Sequence, residues 1–203
     1  ELNNLIDSEF ATSLDCHDPK RSLEDQKFIS TLQEGIRKTP DDHFEMPLPF
    51  RDANPALPNN RIMAEKRLQG LKRKFSKDSK FQEDYTKFMS NIIEKGFAER
   101  CDTPSANASY LPHHGVYHPK KKKLRVVFDA SAQHEGTSLN DTLLQGPDLI
   151  NCLIGVLCRF RKEEIAIMCD IEQMFYQFKV IKEHRDFLRF LWWDDFNQPP
   201  VEY

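Results

Sequence analysis

Residues 110–128, YLPHHGVYHPKKKKLRVVF, decide the fold. Residues 110–117 and 124–128 are rich in branched and aromatic side chains and read as strands. Between them stand four consecutive lysines, Lys120, Lys121, Lys122 and Lys123. Just upstream the hydrophobic period is that of a helix. Phe81, Tyr85, Phe88, Met89, Ile92 and Ile93 form a 3.6-residue stripe after Ser76, and Gly96 stands where a C-cap belongs. Before it, Asn60 is placed to cap a helix whose core face is Met63, Ala64, Leu68, Leu71 and Phe75. Lys72, Arg73 and Lys74 complement the dipole in its last turn. At 97–101 the period has already changed to two, and a further strand is expected there.

Working outward, Ser22 with Asp25 makes a capping box, and Phe28, Ile29, Leu32 and Ile36 share the face of a helix that ends before Pro40. Phe44, Met46, Leu48 and Phe50 alternate, so 43–50 reads as a strand that Pro47 and Pro49 confine to an edge. Residues 52–60 are a loop. Downstream, Pro147 suits the first turn of a helix carrying Leu149, Ile150, Leu153, Ile154, Leu157 and Phe160. A short strand over 165–169 then ends at Asp170, and 178–180 with 187–193 reads as a hairpin. Helices come first and mixed elements follow, so the class is α+β.

The 203 residues are 39% hydrophobic and 30% charged, which suits a globular chain with a real core. No run approaches the ~20 apolar residues of a membrane span, and no signal peptide opens the sequence. The chain begins at Glu1 and stops at Tyr203 behind an apolar block, and is read as a piece of a longer protein. Five scattered cysteines without a C-x-x-C pair suit buried free thiols, hence an intracellular, cytoplasmic and not secreted protein. His113, His114 and His118 near Cys101 match no common zinc spacing and read as an exposed polar strand or loop.

The net charge of −3 hides a segregation. Residues 1–55 carry 6 bases against 12 acids, 61–125 carry 16 against 7, and 126–203 carry 7 against 13. A basic middle between acidic parts fits either a phosphate-facing surface or two solvated, lysine-rich helices. In EIAIMCDIEQMFYQF (164–178) an apolar strand delivers one carboxylate, Asp170, at its end. Such an Asp either caps the following turn or holds a divalent cation at the floor of a cleft.

Several blocks in order carry a family resemblance. YLPHH, RVVFDAS, SLND with GP, and DIEQMF, preceded by GFAER and followed by HRDFLRFLWW, closely resemble reverse transcriptases of BEL/Pao-family retrotransposons. The resemblance spans nearly the whole chain. It implies an acidic connecting segment over 1–55 and a basic two-helix segment over 56–101. Over 102–203 it implies the fingers and partial palm of a truncated reverse-transcriptase-like polymerase. The implied activity is RNA-directed DNA synthesis by two-metal nucleotidyl transfer with Mg²⁺ or Mn²⁺, expected only in the complete polymerase.

Residue by residue, Asp170 matches the first metal-binding carboxylate and catalytic residue, with the Ile171 backbone carbonyl beside it. Arg125 matches the arginine that grips the triphosphate of the incoming dNTP, and Phe175 the aromatic that crowds the sugar 2′ position. Met174, Tyr176 and Phe178 around it leave a plain core role open as well. Gln145, Gly146 and Pro147 lie where such enzymes approach the template-primer. Lys72, Arg73, Lys74 and the four lysines 120–123 form the basic nucleic-acid surface. The implied partners are an RNA or DNA template-primer, dNTP and the remaining polyprotein parts (protease, rest of the palm, RNase H, integrase), with no membrane.

Two departures stand out. The family's Y-x-D-D motif is absent, and Asp194 with Asp195 reads as a solvated turn instead. Gly115 stands where the family commonly has Pro, which loosens one strand. The alternatives are a degenerate or domesticated remnant that binds nucleic acid without catalysis, and an interaction piece with no nucleic-acid role.

Overall fold

The computed structural model describes residues 22–203 apart from 54, 104, 106, 149, 150 and 163, so the readings on Cys16, Leu149 and Ile150 lie outside the described residues. The chain is of mixed α and β structure and divides into two compact units, Glu1–Glu45 with Leu144–Phe178, and Met46–Leu143 with Lys179–Tyr203. No helix among the described residues is long and apolar enough to cross a membrane.

In the first unit α1 (Leu23–Gly35) opens on the expected capping box, with Asp25 N–H donating to Ser22 Oγ at 3.1 Å and Ser22 N–H donating to Asp25 at 3.2 Å. β1 (Arg37–Lys38) pairs antiparallel with β2 (Phe44–Met46), and Arg37 binds the buried Glu45 at 2.6 Å. The strand expected over 43–50 stops at Met46 because the two prolines that follow remove ladder donors. β5 (Phe178–Val180), of which Phe178 falls in this unit, stands in the sheet order β1-β2-β5 and not in a hairpin with 187–193 as expected.

The remaining elements of this unit depart further from expectation. Pro147 does not start a helix; α5 begins at Leu153 and runs Leu153–Phe160 behind Cys152. Its apolar residues are exposed, and Cys152, Cys158 and Cys169 are exposed thiols rather than buried ones. Residues 165–169 form no strand, and Ile165, Ile167 and Met168 stand open to solvent. A strand exists only where its backbone finds a ladder partner, and 165–169 have none among the described residues.

The second unit holds the core. α2 (Arg61–Phe75) is followed closely by α3 (Ser79–Glu94), whose N-cap Asp78 accepts the Phe81 N–H at 2.9 Å. Gly96 adopts φ 70°, and Gly96 and Phe97 N–H return to the Ile93 and Ile92 carbonyls, the left-handed close that glycine permits. β3 (His113–Tyr117) pairs with β4 (Leu124–Phe128) in register from His113↔Phe128 to Tyr117↔Leu124. A short α4 (Leu139–Thr142) follows a second capping box between Ser138 and Asp141. β6 (Leu191–Trp192) pairs with β7 (Val201–Glu202). Residues 97–101 make no strand; Cys101 N–H donates once, to the Glu202 carbonyl, and one bond builds no ladder.

Phe75, Phe81, Tyr85, Met89, Ile92 and Trp192 interlock at the centre, with Tyr85 and Trp192 stacked at 5.5 Å. Gly115 belongs to this packing. A Cβ there would stand 2.9 Å from the Phe81 ring, so the missing side chain closes the sheet onto α3 and loosens nothing.

His113, expected on an exposed polar segment, is instead buried between Tyr85 and the Leu191 carbonyl. The carbonyl takes the Nε2 proton at 2.9 Å, which leaves Nδ1 to accept the Tyr85 hydroxyl at 2.5 Å. Burial drives its pKa from 6.5 down to about 4, against the pull of the Leu191 bond. The unfolded imidazole therefore takes up its proton first as pH falls. The stabilisation is whole above about pH 6.5 and is lost between there and pH 4, to the extent of roughly 3 kcal/mol. Urea midpoints at pH 7 and pH 4.5 should differ accordingly, and His113→Gln, which hydrogen-bonds without titrating, should remove that part of the difference.

Candidate nucleic-acid interface

The basic residues of the second unit divide into free cations and occupied ones. α2 ends with Lys72, Arg73 and Lys74 on the solvent side of Leu71 and Phe75. Lys72 Nζ lies 5.6 Å from the centre of the Trp193 ring and donates to the Phe196 carbonyl at 2.5 Å. Lys74 Nζ sits 3.8 Å over the Phe81 ring. Both heads hold the protein together. Arg73 is exposed and has no ion pair among the described residues. Further back on α2, Arg67 reaches Asp129 at 3.4 Å and Arg61 binds Glu65 and Glu202.

The hairpin β3–β4 is where cations stand unopposed. Strand alternation turns Leu124 and Val126 into the core and Arg125 and Val127 outward. Arg125 faces Val116 across the ladder, so its guanidinium rises from an exposed surface shared with His114. The turn carries the four lysines, all exposed, and neither they nor Arg125 form an ion pair among the described residues. The turn is ordered from within: His118 N–H donates to Lys123 O and Lys122 N–H to His118 O, both at 2.9 Å. His118 Nδ1 accepts the amides of Lys120 and Lys121 at 3.2 and 3.1 Å.

The other sequence-derived residues belong to the first unit and do not assemble a centre of their own. Asp170 is exposed, with no hydrogen bond or ion pair among the described residues, and it caps nothing. The 3-10 turn Met174–Gln177 is preceded instead by Gln173 at φ 52°. Ile171 is exposed beside it. Phe175 is 85% exposed, which removes the core reading of that ring in this structure. Gly146 has φ 76°, and a Cβ there would meet the Phe28 ring at 2.9 Å, so packing within its own unit accounts for the glycine. Gln145 is exposed and Pro147 half-buried on either side. Among the described residues no three His, Cys, Asp or Glu side chains come together to hold a metal ion. Asp194 and Asp195 stay apart in role: Asp194 binds Arg100 at 2.5 Å and accepts the Tyr203 hydroxyl, and Asp195 accepts the Asn197 N–H at 2.9 Å.

Sequence reasoning missed the polar cluster that fixes this unit. Arg189, 4% exposed, binds Asp186 at 2.6 Å, Glu202 at 2.7 Å and the Thr103 carbonyl at 2.9 Å. Arg61 and the Tyr110 hydroxyl complete the shell of Glu202. Burial works to raise the Glu202 carboxyl, but the bonds from Arg189, Tyr110 and Arg61 outweigh it and hold the group below its ordinary value. An arginine inside the apolar run FLRFLWW was the available signal, since a charge buried in such a run needs a partner.

No family model, no curated protein and no solved structure matches the chain.

Lys72 and Arg73 provide a test of which basic side chains hold the fold. Lys72→Ala should lower stability by about 1 kcal/mol through the lost ring contact and hydrogen bond. Arg73→Ala should leave the urea midpoint unchanged. Phe175→Val should likewise cost under about 0.5 kcal/mol, the scale of an exposed substitution. Paired denaturation curves measure all three.

Proposed function

We propose that the second unit binds nucleic acid as the fingers-like part of a retrotransposon-type, RNA-directed DNA polymerase. The observation that carries the binding reading is the β3–β4 hairpin, which presents Arg125 and four lysines with no carboxylate paired to them among the described residues. Cations left unpaired at a turn stay solvated in the free chain and are open to phosphates, whose neutralisation releases counterions and supplies most affinity for a polynucleotide. Arg125, with its planar fork, suits a terminal phosphate that two donors hold at once. The order of the BEL/Pao-like blocks in the sequence supports the polymerase part of this reading.

The catalytic metals of such an enzyme need carboxylates that converge, and the residues described do not supply them. A lone exposed Asp170 with the Ile171 carbonyl does not fit Mg²⁺ or Mn²⁺ binding by itself, so no nucleotidyl-transfer step is derived for this chain. Binding without catalysis, as the remnant of such an enzyme, is the second reading, since the exposed basic turn would serve it equally.

Anisotropy with a labelled RNA–DNA hybrid tests the proposal. Three to six phosphate contacts should give log affinity a slope of about −3 to −5 against log salt. Replacing all four lysines 120–123 by Ala should flatten the slope by about 2 to 4. Binding that ignores both salt and this change would sink the proposal.

A further inference from the structure

Four adjacent lysines in a six-residue loop repel one another, and a turn so charged needs something to hold its shape. His118 is placed to do so. Its backbone closes the loop on both sides, through Lys123 O and Lys122 N–H, with Lys122 itself at φ 47°. Its ring then folds back over the chain, and Nδ1 accepts two successive amides, those of Lys120 and Lys121. Pro119, between the ring and those amides, has no N–H to compete. The arrangement is an acceptor cap of the kind Asn or Asp makes in tight turns, performed here by an imidazole that adds no negative charge among the lysines.

We infer that His118 is the positioning residue of a phosphate-binding turn: by accepting the Lys120 and Lys121 amides it fixes the four lysines as an array for closely spaced phosphate groups. The inference rests on the nucleic-acid reading above. With both amides occupied by the ring, the turn meets phosphates through side-chain cations and not through these amides, so what the ring supplies is geometry. An ordered array loses less freedom on binding than a loose loop does. The phosphates could belong to a nucleic-acid backbone or to a triphosphate, and the two sources are separable.

The experiment compares wild type, His118→Ala, His118→Asn and the quadruple Lys→Ala variant of 120–123. Each is titrated against an RNA–DNA hybrid and against inorganic tripolyphosphate, with melting temperatures recorded alongside. His118→Ala should weaken binding about fivefold, the scale of one or two lost hydrogen bonds, without lowering the melting temperature in proportion. His118→Asn, whose side-chain oxygen accepts the same amides, should bind like wild type. Loss against both ligands assigns a triphosphate-sized subsite, and loss against the hybrid alone assigns the backbone. If the quadruple variant loses binding while His118→Ala keeps it, the positioning role is wrong and the basic turn stands. If the quadruple variant binds like wild type, the nucleic-acid reading fails with it. Amide hydrogen exchange needs no variant: the Lys120 and Lys121 amides should exchange slowly in the wild-type chain, and free exchange at both would overturn the role.

Discussion

A guanidinium sealed from water governs the second unit. Arg189 lies inside an otherwise apolar run, and its charge is tolerable only because Asp186, Glu202 and the Thr103 carbonyl surround it. Each partner comes from a different stretch, so satisfying one charge fixes the start of the 101–111 segment, the turn before β6 and the strand β7 together. Tyr110 extends the constraint. Its hydroxyl reaches Glu202, while its backbone N–H and C=O are both held by the Asn60 side chain at the head of α2. Removing a member of such a set leaves a buried charge behind, a far larger loss than any one of the bonds would suggest.

What the sequence made legible was local. The capping box at Ser22, the stripe of α3, the left-handed close at Gly96 and the basic last turn of α2 each depend on residues within one or two turns of each other. The β3 and β4 strands were readable for the same reason, and their alternation alone sends Arg125 outward. The long-range choices were not readable. Asn60 occupies the N-cap position as expected, yet its side chain makes no cap bond and serves as a ladder partner for Tyr110, fifty residues on. β6 pairs with β7 and β5 with β2, where adjacency in the sequence suggested a hairpin between 178–180 and 187–193.

The candidate site shows the same division. A run of lysines names a charged turn, but only tertiary contacts distinguish Lys72, bound to Trp193 and Phe196, from the unengaged Arg73 beside it. Composition counted these residues as equals. The histidines went the other way: a cluster that looked solvated contains one ring buried as a neutral core group and another serving as the acceptor of its own turn. For an imidazole, the sequence neighbourhood says little about which nitrogen will find a proton and which a donor.

The open segment over 165–169 bears on how the molecule behaves among its own copies. Five apolar or sulfur-bearing residues, two of them isoleucine, uncharged and without proline, lie open to solvent as segments that pair edge to edge do. Arg161, Lys162 and Glu164 precede it and Asp170 and Glu172 follow, and charges so placed act as gatekeepers against stacking in register. The buried cluster around Arg189 bears on the folding of the second unit, and the charges flanking this open segment bear on contacts between copies.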